Sequence, residues 1–149
     1  MATPYSKIIE PFLLKVRDYD LSKFTDIEKT EIVIGLLIAS CIKFEKVCKS
    51  DLSNRDDSLQ VFNSDLSDEE IDIISEGMIV EWIKPRVYSS ENLRNVLNTK
   101  DYNQYSPANL LKELRETLKS SKQEYKALIN NYSFSHADFS KLGGWYYGR

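Results

Sequence analysis

Any chemistry in this chain would have to be built from few reactive side chains. Its 149 residues include 1 His and 2 Cys. His136 stands in a stretch that leads into Gly143 and Gly144. A Ser/His/Asp or Cys/His unit would therefore need assembly around a single flexible position. Cys41 and Cys48 lie seven residues apart in one helical pattern, about 10 Å along its axis and beyond disulfide reach. They read as two small buried thiols of a reduced, cytoplasmic protein. One His and two Cys exclude the usual zinc sites. No nucleotide-binding glycine loop or EF-hand pattern is present. Asp51, Asp56, Asp57, Asp65 and Asp68 could gather a hard cation, but they lack ligand spacing and a turn glycine. The expectation is a non-enzyme with no catalytic residues, no cofactor and no metal.

Two other residue groups carry more information. From Asp51 to Glu76 there are nine acids (Asp51, Asp56, Asp57, Asp65, Asp68, Glu69, Glu70, Asp72, Glu76) against one base, Arg55. From residue 77 onward, eleven bases face seven acids. The acidic segment reads as a solvated face or, more sharply, as a surface that repels nucleic acid or meets a basic partner. The second group is aromatic and apolar: Phe134, Phe139, Leu142, Trp145, Tyr146 and Tyr147, with Arg149 at the end. Clustered aromatics in a glycine-containing segment mark an interaction site, and Trp and Tyr are enriched at binding hot spots. The alternative is that this segment folds back on its own bundle.

The elements that must position these groups follow a helical period. Composition (42% hydrophobic, 29% charged, formal charge −3) describes one soluble domain without a basic surface for nucleic acid. Tyr5, Ile8, Ile9, Phe12, Leu13 and Val16 share one helix face, with Thr3 as N-cap and Pro4 at the first position. Pro11 predicts a kink or a late start. Thr25 with Glu28 forms a capping box that opens a second helix, running to about Lys49. This helix is apolar nearly all round from Ile32 to Ile42, so it is expected to be central and covered on several sides, with a close crossing at Gly35. Residues 50–66 read as a long polar loop. Ser67 with Glu70 opens a third helix through Ile71, Ile74, Met78 and Trp82, interrupted at Pro85 and continued by a bent segment. Ser106-Pro107 opens a long last helix with Leu110, Leu111, Leu114, Leu118, Tyr125, Leu128, Ile129 and Tyr132 on one face. Its other face mixes signs and reads as a solvated flank. No strand or repeat is evident. The fold expected is all-α: an antiparallel bundle of four to five helices over 1–132, with a long connecting loop and an extended docking tail over 133–149. The start shows no secretory signal, and the longest apolar run is too short for a membrane span.

Several collinear segments together resemble one lineage. They are Tyr5-Ser6-Lys7-Ile8, Asp51-Leu52-Ser53-Asn54-Arg55-Asp56-Asp57, and Phe62-Asn63-Ser64-Asp65-Leu66-Ser67-Asp68-Glu69-Glu70-Ile71. Val80-Glu81-Trp82-Ile83-Lys84-Pro85 and Asp101-Tyr102-Asn103-Gln104-Tyr105-Ser106-Pro107-Ala108-Asn109 follow in order. The chain resembles the head–tail connector or adaptor (head-completion, neck) proteins of tailed bacteriophages of Gram-positive hosts, over residues 5–132. The resemblance implies a helical subunit of a ring, typically of twelve copies, beneath the portal protein. Such a ring extends the DNA channel toward the stopper or tail-completion proteins, and DNA passes without sequence-specific binding. Its place would be the virion neck, after assembly in the host cytoplasm, with no membrane partner. Phe134, Phe139, Leu142, Trp145, Tyr146, Tyr147 and Arg149 would then dock on the portal or a neighbouring subunit. Asp51, Asp56, Asp57, Asp65 and Asp68 would face the channel or a subunit contact. The other class compatible with the residues is a helical regulatory or adaptor domain, outside the virion, that binds a host or phage protein.

Overall fold

A computed structural model describes residues 1–16, 21, 23–96 and 107–141, with side chains described outside 90–96, 107, 108 and 141. In chain order the elements are β1 (Thr3–Pro4), α1 (Ser6–Val16), α2 (Asp26–Phe44), β2 (Arg55–Asp56), β3 (Val61–Phe62), α3 (Asp68–Val96) and α4 (Pro107–Ser135). A short 3-10 turn, Phe139–Lys141, follows. The molecule is mostly helical, as its periodicity indicates, but it also carries a small three-stranded sheet.

The sheet corrects two expectations. Thr3 is not a helix cap. It pairs with Phe62 in an antiparallel β1–β3 ladder. Its buried hydroxyl donates to the Ser64 carbonyl at 3.1 Å and accepts from the Leu66 amide at 2.9 Å. Pro4 sits on the edge strand, where a residue without an N–H is tolerated. The segment 50–66 is likewise not an irregular loop, because β2 and β3 pair as a hairpin with Arg55 opposite Phe62. Gln60 closes that hairpin at φ 55°, in the left-handed region. Two-residue strands have too short an alternation to be recognised from sequence, and β1 meets a partner some sixty residues away.

The helices start where local signals place them and diverge where packing decides. α1 begins late, at Ser6, and runs through Pro11. Thr25 and Glu28 form the full capping box of α2. That helix stops at Phe44, with Glu45 as C-cap, short of Lys49. Ser67 and Glu70 cap α3 reciprocally, Ser67 N to Glu70 Oε2 at 2.9 Å and Glu70 N to Ser67 Oγ at 3.2 Å. α3 is not interrupted at Pro85. Val87, two residues on, is buried with the core, so packing on both sides of the proline offsets its missing hydrogen bond.

The central helix is α3 rather than α2: it packs against α1, α2 and α4. Its stretch from Glu70 to Val80 is buried almost all round, including Glu70, Ser75 and Gly77, which no hydrophobic pattern reveals. α2 buries one stripe (Val33, Leu37, Ser40, Cys41, Phe44) and leaves Ile27 and Ile42 exposed. Gly35 is exposed, with nothing within 4 Å of the place where a Cβ would stand, so among the described residues no helix crosses there. The close approach is at Gly77. A Cβ at that position would lie 2.1 Å from Ser40 Oγ and 3.0 Å from two ring atoms of Tyr125, which puts α2, α3 and α4 in one notch. α4 seats on the bundle through Leu111, Leu118, Tyr125 and Tyr132, a seven-residue repeat that presents one narrow buried seam. Leu110, read as part of that face, is 56% exposed.

Candidate functional site

The end of α4 is held at the pole where the hairpin meets α3. The Glu70 carboxylate is 3% exposed. It accepts from Tyr132 Oη at 2.8 Å, Ser50 Oγ at 2.9 Å and Cys48 Sγ at 3.3 Å, besides the Ser67 amide of the capping box. Tyr132 Oη in turn accepts from the Lys49 amide at 3.0 Å. Burial alone would raise the Glu70 pKa, but these donors outweigh it and hold the carboxyl below its ordinary value. Burial pushes the Tyr132 phenol up, and its bond to Glu70 adds to that. The Cys48 thiol is pushed up to about 12, chiefly by burial and then by Glu70. Cys41 also lies at about 12, because it is buried. Both are free thiols that stay protonated at neutral pH; Cys41 is buried as expected, while Cys48 is only half-buried.

This clasp fixes how the chain leaves the bundle. The Tyr132 ring packs edge-on against Phe44, with centroids 5.1 Å apart, and against the His136 ring at 4.2 Å. His136 Nδ1 lies 2.9 Å from the Tyr132 carbonyl, so the lone histidine closes the helix end. α4 continues to Ser135, so 133–135 are helical rather than extended. Phe134 and Phe139, the two docking candidates inside the described region, are 70% and 55% exposed. Leu142, Trp145, Tyr146, Tyr147 and Arg149 lie outside the described residues.

The acidic candidates gather around the same pole, and most are engaged within it. Asp51 accepts from Ser53 N and Oγ at 3.0 and 2.6 Å, forming a tight turn. Asp56 accepts from the Ser58 and Leu59 amides at 2.9 and 3.0 Å, shaping the hairpin. Asp57 accepts from Tyr5 Oη at 2.6 Å and pairs with Arg55 Nε at 3.3 Å. Asp65 faces the Met1 amine at 3.9 Å, and Asp68 faces Lys7 at 3.6 Å. Asp72 and Glu76 both pair with Lys15 of α1. Burial of Lys15 lowers its pKa, but those two partners outweigh burial and raise it above the ordinary lysine value.

Two further surfaces lie away from this pole. One is an open groove of about 630 Å³ between α2, α3 and α4, lined by Phe24, Ile32, Trp82, Pro85, Arg86 and Leu114 among others. There Arg86 stacks over the Trp82 ring at 4.6 Å. The other is a shallow depression of about 310 Å³ on α4, lined by Arg115, Leu118, Lys119, Lys122, Gln123 and Lys126. Beside it, Lys43 of α2 and Lys84 of α3 both bond to the Glu81 carboxylate. Burial, with Lys84 and Lys122 nearby, pushes the Lys43 ammonium down to about 8. The sequence conceals this sorting, because lysines and glutamates alternate along α4 and separate only once wound on a helix.

Among the described residues, no group of three or more His, Cys, Asp and Glu could hold a metal ion. No helix there is long and apolar enough to cross a membrane. Comparison with protein-family models, with curated proteins and with solved structures finds no match to this chain.

Proposed function

We propose that this chain is a structural assembly subunit: a head–tail connector (neck adaptor) that forms a ring below a portal and extends the DNA channel toward the stopper or tail. The observation that carries this reading is the end of α4. A helix pinned by a buried carboxylate presents Phe134 to solvent, the turn after it presents Phe139, and the chain continues into Leu142, Trp145, Tyr146 and Tyr147. A rigid base with exposed aromatic rings suits a docking arm, since large rings bury much area at little entropic cost. The collinear segments quoted above point to the same class, and the portal is the partner they imply. In this reading the arm docks on the portal or a neighbouring subunit, and DNA passes without sequence-specific contact.

The test is deletion of 142–149 together with Phe134→Ser and Phe139→Ser. The variant should keep the helical circular dichroism and melting midpoint of the full chain, because Phe134 and Phe139 are exposed and the deletion leaves every described element in place. It should no longer join portal-bearing heads in an in vitro assembly mixture. A variant that joins such heads as well as the full chain does would overturn the docking arm.

A further inference from the structure

The cations of α4 are sorted. At 3.6 residues per turn, Arg115, Lys119, Lys122 and Lys126 fall within a sector of about 60°, and they run about 16 Å along the axis. Glu113, Glu116 and Glu124 lie roughly 90° to 170° further round. The four cations line one depression, with Leu118 at its base. Lys119, Lys122 and Lys126 have no carboxylate within ion-pair distance among the described residues. Like charges three and four apart oppose helix formation by about 0.2–0.5 kcal/mol per pair, so the array is unfavourable in the isolated chain. Lys43 and Lys84, which share the Glu81 carboxylate, stand beside the stripe on the neighbouring helices.

The chain also carries the complement of this stripe. At the start of α3, Glu69 is exposed and unpaired among the described residues, and Asp65 and Asp68 keep side-chain exposures of 70% and 98% despite long contacts to Met1 and Lys7. These acids stand by the pole that clasps the end of α4, whereas the stripe lies toward the middle of that helix. Two different patches of opposite charge on one subunit are what a head-to-tail interface requires, and head-to-tail contacts close into a ring when the rotation between neighbours closes. A nucleic-acid strand fits less well. The stripe has no aromatic side chain on which a base could stack, and the net charge of −3 opposes a polyanion.

We propose that the Arg115/Lys119/Lys122/Lys126 stripe docks the Asp65/Asp68/Glu69 turn of a second copy of this chain. The inference rests on the assembly reading above and names the contact between neighbours.

Zero-length carbodiimide coupling tests it on the full chain, using a mixture of isotope-labelled and unlabelled protein. Intermolecular amide links should join Lys119 or Lys122 to Asp65 or Glu69, and high salt should suppress them about tenfold. Lys119→Glu/Lys122→Glu and Asp65→Lys/Glu69→Lys should each lose these links when alone. Mixing the two variants should restore links of both polarities, those of the wild type between the two unaltered patches and charge-exchanged ones between the two altered patches. Links absent from the wild type, or no restoration in the mixture, would overturn the contact. So would a duplex oligonucleotide that is retarded by the wild type and not by Lys119→Glu/Lys122→Glu, with no links formed. The readings separate cleanly. A chain that joins portal-bearing heads but forms none of these links loses only the contact; one that forms the links but never joins heads loses the neck adaptor.

Discussion

The acidic pole and the basic stripe each gather like charges, yet they differ in kind. In the acidic segment, the carboxylates of Asp51, Asp56, Asp57, Glu70, Asp72 and Glu76 each close a turn, cap a helix or pair with a base of the same chain. On α4, three lysines in a row along one helix flank have no ion-pair partner among the described residues. These satisfied charges hold the molecule together, while Asp65, Asp68 and Glu69 beside them stay exposed. A stripe with unsatisfied charges is available for another molecule. Charge counts along the sequence point to the acids, whereas the geometry leaves unanswered charge on the bases as well.

The largest effect should come from Glu70. Glu70→Ala leaves Tyr132 Oη, Ser50 Oγ and the Ser67 amide without their acceptor at a buried site, at a cost of about 3 kcal/mol. Urea unfolding would measure it, and a loss below about 1 kcal/mol would mean that the pole is not held by this carboxylate. Next is Gly77→Ala. The added methyl must displace Ser40 Oγ and press on the Tyr125 ring, for an overpacking cost of about 1–3 kcal/mol, partly offset by about 1 kcal/mol of helix propensity. Gly35→Ala, with open space around it, should instead stabilise the chain by that propensity alone.

Acid separates the two regions further. The Glu70 pKa is lowered on folding, so its contribution is complete above the ordinary value of 4.5 and is lost as pH falls through the lower folded value. Urea midpoints should therefore drop below pH 4.5 in the wild type, and this acid limb should be shallower in Glu70→Gln. Substitutions in the stripe should leave it unchanged. The smallest effect is expected at the stripe itself. Lys122→Gln relieves repulsion with Lys119, Lys126 and Lys43, for a gain of about 0.3 kcal/mol that salt should erase. A destabilised Lys122→Gln chain would show that the lysine has an internal structural role after all.

Local signals were legible because each involves residues within one or two helical turns. The capping boxes at Thr25 and Ser67 read correctly from four residues each, and the α4 seam followed from its spacing. Where interactions span the chain, the reading failed. Thr3 has the chemistry of a cap and serves as a strand residue, because Ser64 and Leu66 offer its hydroxyl better partners. The greasiest helix, α2, looked central, but a helix bearing Glu70, Ser75 and Gly77 holds that place. Of the docking candidates, Phe134 and Phe139 alone fall in the described region, and both face solvent.

The sequence by itself determined that this protein is built from amphipathic helices, where they begin, and that reactive side chains are few. Periodicity and capping are short-range properties, written in neighbouring residues. Only the tertiary structure decided which glycine lies at a crossing, which carboxylate is buried among donors and which charges are left over. Each of those depends on atoms brought together from segments dozens of residues apart, and a pattern along one chain does not encode whether a charge will meet its partner in space.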